Sequence, residues 1–377
     1  MFPRPRPNIE SIQPYKPGKP VEQVARELGL RGPIDKLASN ENSLGPSPKA
    51  LAALRRTLHE QYYYPEDTCY LLRERLAKLH KVPIDSVMVG NGSVELISAA
   101  CLAYLEPGDE VVMSAGSFIM AKISARIMNA RLVEVPTKDY VHDLDRILEN
   151  ITEKTKILYL DNPMNPLGTI VTKDKLGRFI EKLPNTVLTI VDNAYADYIA
   201  TRKYPNAVDY VKQGRNVLAL RTFSKAHGLA GLRIGYGIAN PEIVGNLAKV
   251  RLPFNVNRAA QAAALAALDD ERHVNRSRRY NEEGKKYLYR ELTRLNVFHI
   301  PSYTNFVFMN FALDSQVVYE KLLRLGVITR MVKEYGFPNA LRVTVGTMEQ
   351  NRRFIAALGR VLKELQETPQ TSFQPRS

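Results

Sequence analysis

Lys225 is the residue around which chemistry can be built in this 377-residue chain. It follows an apolar run, 217–220, with the length and composition of a buried strand. By itself, a lysine in a polar turn after a strand is an ordinary surface residue. Its company in Thr222-Phe223-Ser224-Lys225-Ala226-His227-Gly228-Leu229-Ala230-Gly231-Leu232-Arg233 changes that reading. Gly228 and Gly231 permit close backbone approach. Thr222, Ser224 and Arg233 can offer two hydroxyls and a guanidinium to one phosphate, with Lys225 beside it. A lysine near a phosphate site at a strand end points to a Schiff base with a phosphorylated aldehyde.

Other stretches carry complementary groups. The strand-like 87–89 runs into Gly90-Asn91-Gly92, and a helix is expected from Ser93 to about residue 105. A glycine turn at a helix N-terminus is an anion cradle, because the first-turn N–H groups have no intrahelical partners. Asn165 lies in a proline-bounded loop after the run 156–160, and Asp192 ends the run 187–191. Arg342 stands inside the apolar strand 340–345, where a charge is costly unless paired. Arg330 closes Val327-Ile328-Thr329-Arg330. Tyr15 belongs to a proline-rich N-terminal arm, and Asn42 to a turn before a helix expected over 48–59.

The elements that must position these groups alternate between strand and helix. Runs at 110–114 and 131–135 flank a helical stretch at 119–128, and an amphipathic helix is expected with Leu71, Leu72, Leu76 and Leu79 on one side. Such alternation implies an α/β fold with a mainly parallel sheet, whose ligands gather at the carboxyl ends of strands. Asn165, Asp192 and Lys225 all fall where strands run out. An alanine-rich segment from 258 reads as the exit into a smaller α+β domain with strands near 304–311 and 340–345. The expected division is an arm over 1–44, a large domain over 45–257, a small domain over 258–366 and a flexible tail over 367–377.

Composition narrows the class. Apolar residues make up 45% and charged residues 24%, ordinary for a soluble globular protein. The two cysteines, Cys69 and Cys101, form neither a disulfide framework nor a metal-ligand spacing, so no metal is expected and a cytoplasmic location is. No apolar h-region follows the basic N-terminus, and the most membrane-like stretch, 259–268, is too short to span. The formal charge of +14 favours anionic ligands. The basic residues are dispersed, with no zinc-finger spacing or RNA-binding aromatic signature, so nucleic acid is not an expected partner.

The motifs Gly90-Asn-Gly-Ser, Asn162-Pro-Met-Asn-Pro-Leu-Gly, Val191-Asp-Asn-Ala-Tyr, Phe223-Ser-Lys-Ala-His-Gly and Leu341-Arg-Val-Thr-Val-Gly occur in this order. In this the chain resembles the fold-type I pyridoxal-phosphate aminotransferases, most closely the histidinol-phosphate aminotransferases. The resemblance implies a seven-stranded, mainly parallel sheet and pyridoxal 5'-phosphate as cofactor. It implies that Lys225 carries the cofactor, Asp192 pairs with its ring nitrogen, Asn165 and Tyr195 bond its phenolic oxygen, and Phe118 stacks on the ring. Gly92, Ser93, Val94, Thr222, Ser224 and Arg233 would bind its phosphate, joined by Tyr64 from the neighbouring subunit of a homodimer. Tyr15, Asn42, Arg330 and Arg342 would meet the substrate. The implied reaction moves an amino group between histidinol phosphate and 2-oxoglutarate. Aromatic amino-acid transamination and threonine-phosphate decarboxylation remain open on the same fold, as does a non-catalytic ligand sensor. Three positions depart from the family's pattern: Val94, the Gly116-Ser117-Phe118 turn and Ala121.

Overall fold

The computed structural model describes residues 2–15 and 17–367, so the expected tail lies outside the described residues except for its first position. In chain order the strands are β1 (Asp35–Lys36), β2 (Val87–Gly90), β3 (Glu110–Ser114), β4 (Arg131–Val135), β5 (Thr155–Asp161), β6 (Leu188–Asp192) and β7 (Val217–Thr222). They continue with β8 (Gly235–Ile238), β9 (Phe298–His299), β10 (Phe306–Asn310), β11 (Val327–Ile328), β12 (Arg330–Met331) and β13 (Ala340–Thr344).

Seven strands form one sheet in the order β2-β8-β7-β6-β5-β3-β4. The run from β4 to β7 is parallel, and β8 pairs antiparallel with both β2 and β7. Largely apolar runs such as Leu188 to Val191, interrupted only by Thr189, are buried on both faces, as a helix-covered parallel sheet requires. The antiparallel strand was not expected, because Gly235-Tyr236-Gly237-Ile238 has little strand character. Its glycines are steric necessities: a Cβ on Gly235 would stand 2.5 Å from the Ser93 nitrogen, and one on Gly237 2.9 Å from a Leu218 methyl.

A second sheet, β12-β13-β10-β9, is antiparallel. Beside it, β1 pairs parallel with β11, and the Thr344 N–H donates to the Leu37 carbonyl at 2.8 Å. Val24, Leu37 and Ala38 therefore belong to the core under the second sheet rather than to a loose arm.

Two helical expectations need correction. In the helix Tyr70–His80, Leu72 and Leu76 are buried, one turn apart, while Leu71 and Leu79 face outward at 65% and 47% exposure. The alanine helix Arg258–Leu268 does not open the small domain. Ala260, Ala263, Ala264 and Ala267 sit in the core of the large sheet, where their small side chains let this helix lie close to the helix Pro48–Thr57. The change of sheet comes in the following helix, Glu271–Arg294. No helix among the described residues is long and apolar enough to cross a membrane.

Candidate active site

The carboxyl ends of β5, β6 and β7 open onto one cavity of about 370 Å³. Its lining includes Tyr15, Gly92, Ser93, Val94, Phe118, Asn165, Asp192, Tyr195, Thr222, Ser224, Lys225, Arg233, Arg330 and Arg342. Residues drawn from positions 15 to 342 thus meet in one place.

Lys225 stands after β7, with its ammonium 5.6 Å from the centre of the Tyr195 ring and 3.4 Å from the Ser39 carbonyl. Burial, assisted by the charge of Arg342, brings its pKa down to about 8. Much more of the amine is therefore neutral near pH 7 than in an exposed lysine, and a neutral amine is what nucleophilic or proton-accepting chemistry requires. Gly228, three residues on, adopts φ +73°, and a Cβ there would come within 2.2 Å of the Gly45 carbonyl oxygen. Only glycine lets the turn after Lys225 press against residue 45.

Asp192 closes β6 and is buried. It accepts the Tyr159 hydroxyl at 3.0 Å and the Ala194 N–H at 3.1 Å. Burial, then the nearby Asp161 charge, pushes its carboxyl up to about 6. A cation beside it would repay that desolvation. The Tyr195 hydroxyl accepts the Asn40 side-chain N–H at 2.8 Å, and burial holds its pKa up at about 12.

At the other end of the cavity, Gly92 has φ +80° and precedes the helix Ser93–Tyr104. A Cβ on Gly92 would lie 2.8 Å from the Arg233 guanidinium. The glycine therefore brings a fixed cation against a helix N-terminus, next to the hydroxyls of Thr222 and Ser224. Val94 lines this end, where its contribution to an anion is its main-chain N–H rather than its side chain.

Two arginines come from the second sheet. Arg342 on β13 donates to the Asn165 side-chain oxygen at 2.5 Å and the Ala38 carbonyl at 2.7 Å. Its Nε is buried and has no hydrogen-bond partner among the described residues. Burial lowers its pKa, and the charge of Arg330 works in the same direction. Arg330 on β12 pairs with Glu334 and lies 5.6 Å from the Tyr15 ring centre.

Two expected residues do not line this chain's cavity, one of them, Tyr64, having been expected to serve a neighbouring subunit. Asn42 does not line the cavity; its side-chain N–H groups hold the Ala226 carbonyl at 2.9 Å and the Ser277 hydroxyl at 2.8 Å. Tyr64 is 77% exposed and stacks on Phe254 at 4.6 Å, outside the cavity of its own chain. Conversely, Asn40, Glu41, Asp161 and Tyr335 line the cavity although sequence reasoning did not select them. Asn40 adopts φ +55°, a conformation asparagine tolerates, and its N–H donates to Thr344 Oγ1 at 2.9 Å. The signal for Asp161 was its place directly before the Asn162-Pro163 step.

The large sheet, the second sheet and the lysine between them make up the fold of the type I pyridoxal-phosphate enzymes. The family model for class I and II aminotransferases matches residues 33–358. The histidinol-phosphate aminotransferase of Moorella thermoacetica is 46% identical, covering 96% of this chain and 93% of that one. The enzyme of the same name from an Anaeromyxobacter species is 45% identical over 94% of this chain and 98% of that one. The crystal structure of histidinol-phosphate aminotransferase from Sinorhizobium meliloti, in complex with pyridoxal-5'-phosphate, superposes with a TM-score of 0.90 at 28% identity, covering 97% and 99% of the two chains. The chain belongs to the aminotransferase class I and II family, in its histidinol-phosphate aminotransferase branch.

Proposed function

We propose that this aminotransferase uses pyridoxal 5'-phosphate to move an amino group between histidinol phosphate and 2-oxoglutarate. The observation that carries the substrate reading is the pair Arg330 and Arg342, two guanidiniums lining the same cavity as Lys225 and Asp192. A phosphate on one substrate and carboxylates on the other suit such a pair, and guanidinium forks recognise both groups. The 46% and 45% identical relatives carrying that name support it.

The residues fit the cofactor. The cradle that a Cβ on Gly92 would fill, with Arg233 against it, suits a phosphate. The buried Asp192 suits a protonated ring nitrogen, and the partly neutral Lys225 suits covalent attachment to an aldehyde. When bound, pyridoxal phosphate supplies the carbonyl carbon that receives the amino group and a ring that accepts electron density.

The chain's own residues do the rest. Lys225 in its neutral form takes and returns the proton on the substrate's amine-bearing carbon, a role typically worth ~10²–10⁴ in rate. With the cofactor bound, Asp192 would keep a proton on the ring nitrogen, Phe118 would cover the ring, and Asn165 and Tyr195 would address the phenolic oxygen. Arg342 and Arg330 fix the anionic ends of the substrate, and Tyr15 lies over the Arg330 side of the opening. Tyr64 reaches the phosphate of the neighbouring subunit in a homodimer, consistent with its exposure here.

A single-turnover experiment tests this. Histidinol phosphate should rapidly discharge the visible absorbance of the cofactor-loaded protein, and phenylalanine, tyrosine and O-phosphothreonine should act slowly. Faster conversion by the aromatic amino acids, or carbon dioxide release from O-phosphothreonine, overturns the substrate assignment.

A further inference from the structure

A second buried carboxylate stands beside the one assigned to the ring nitrogen. Asp161 ends β5 and is paired in register with Asp192 at the end of β6. The Asn162 N–H donates to the Asp192 carbonyl at 3.0 Å, which fixes the two strand ends together. Asp161 lines the cavity and is 3% exposed.

One of its oxygens does two jobs. Oδ2 accepts the Phe118 N–H at 3.1 Å and the Asn165 N–H at 2.9 Å. These donors lie on different segments, one before the helix Ile119–Ile127 and the other in the loop after β5. The two residues are those assigned to the face of the cofactor ring and to its phenolic oxygen. A single atom therefore sets the spacing between two walls of the cavity.

The surroundings hold the main chain of Asp161 in place. His142, fully enclosed, bridges the Ser114 hydroxyl at 2.7 Å and the Asp161 carbonyl at 2.9 Å. Burial keeps the imidazole neutral, at a pKa of about 4. The turn before Phe118 is pinned from the other side. Gly116 adopts φ +83°, and a Cβ there would come within 2.9 Å of the Phe337 ring. The turn that carries Phe118 is thus held between Asp161 on one side and Phe337 on the other. Burying a carboxylate is expensive, and burial pushes that of Asp161 up to about 6 against the pull of the Asn165 N–H and the Ser117 hydroxyl. Among the described residues Asp161 Oδ1 has no hydrogen-bond partner; the Ser117 hydroxyl is a polar neighbour, and His142 Nε2 lies 3.8 Å away. A buried acid with one oxygen so weakly satisfied is costly in a position that packing alone would fill with an apolar side chain.

We infer that Asp161 is a positioning residue for amino transfer, tethering Phe118 and Asn165 by their backbone N–H groups so that the cofactor ring is held between them. The inference rests on the cofactor reading above, and its test separates the two. Cofactor-free protein is titrated with pyridoxal phosphate, and visible circular dichroism of the bound cofactor reports how the ring is held. Wild-type protein that binds no cofactor would sink the functional reading itself.

With wild-type binding in hand, Asp161→Ala is expected to weaken cofactor affinity by about tenfold or more, the loss of two charge-assisted hydrogen bonds. It should also change the dichroic band. Asp161→Asn keeps a carbonyl oxygen that can accept both N–H groups, and is expected to restore affinity and band. An alanine variant with affinity within twofold of wild type and an unchanged band overturns the tether. So does an asparagine variant as defective as alanine, because the defect would then follow the lost charge and not the lost acceptor. Should the alanine variant fail to fold, Asp161→Ser, too short to reach both donors, takes its place with the same criteria.

Discussion

Arg342 donates to the side-chain oxygen of Asn165 at 2.5 Å, joining a strand of the small sheet to the loop that leaves the large one. The two residues are 177 positions apart, and the bond lies inside the cavity. On the proposed assignment, substrate recognition and cofactor placement are mechanically connected. Arg342→Lys keeps the charge but loses the planar fork. We expect KM for both substrates to rise roughly 10- to 100-fold, the scale of one or two charged hydrogen bonds, with a smaller fall in kcat. Steady-state kinetics with each substrate varied in turn checks this, and an unchanged KM would remove Arg342 from substrate binding.

Lys225 is poised to react in the pH range where its amine loses its proton. With a pKa of about 8, the fraction of neutral amine climbs as pH rises through that value. The rate of covalent cofactor attachment to the cofactor-free protein should climb with it and level off about one unit above. Stopped-flow absorbance between pH 6 and 10 measures the midpoint. A flat profile, or a midpoint near that of an exposed lysine, contradicts the burial argument. Lys225→Ala should bind pyridoxal phosphate without a covalent link and lose turnover by ~10²-fold or more.

Asp192 costs the cofactor-free protein stability when it is charged. Its folded-state pKa is raised to about 6, so the folded chain binds a proton more tightly than the unfolded chain does. The cost of keeping it charged is absent below the unfolded value near 4 and complete above about 6. In cofactor-free protein, Asp192→Asn should therefore melt at a higher temperature than wild type at pH 7, by the equivalent of about 1–3 kcal/mol. The two should converge as pH falls to 4. Differential scanning calorimetry across that range decides it; a difference that grows toward acid pH has the wrong sign.

Gly228→Ala places a methyl group 2.2 Å from the Gly45 carbonyl oxygen at a φ of +73°. Both strain and collision act against the fold, and we expect a loss of at least ~2 kcal/mol in urea denaturation. A loss within 0.5 kcal/mol, roughly the range of a neutral surface change, would show that this close approach is not needed.

Tyr64 can be assigned to one site or the other by mixing inactive partners. On the proposed homodimer, Lys225→Ala and Tyr64→Ala subunits should each be defective when assembled alone. If Tyr64 completes the neighbour's cavity, the mixed dimer contains one intact site, and activity reappears on exchange. If Tyr64 serves its own chain, no combination restores it.

Much of this was legible before the fold. Buried parallel strands announce themselves as short apolar runs, and polar groups at their ends fall into one cavity by topology; hence Asn165, Asp192 and Lys225 could be found. What sequence could not supply was contact between distant segments. Nothing local marks Asn40 as the partner of Tyr195, 155 residues later. The glycines of β8 mask a strand, since they are required by the neighbours that crowd them and not by the strand itself. The alanines at 260–267 read as generic helix, and only the close approach they allow reveals which sheet they serve. Leu71 and Leu79 misled because helical spacing gives a face but not its depth.

The N-terminal segment 35–41 is held by strands that emerge last. Leu37 bonds to Ile328 and Thr344, and Asn40 bonds to Thr344, 304 residues away. During synthesis the large sheet and Lys225 leave the ribosome long before β13 does. A nascent chain therefore carries its lysine before the strand that pins segment 35–41 has been made, and this closure can form only once residue 344 has been added. Chains cut short before residue 344 should display that lysine without the enclosure that confines its reactivity.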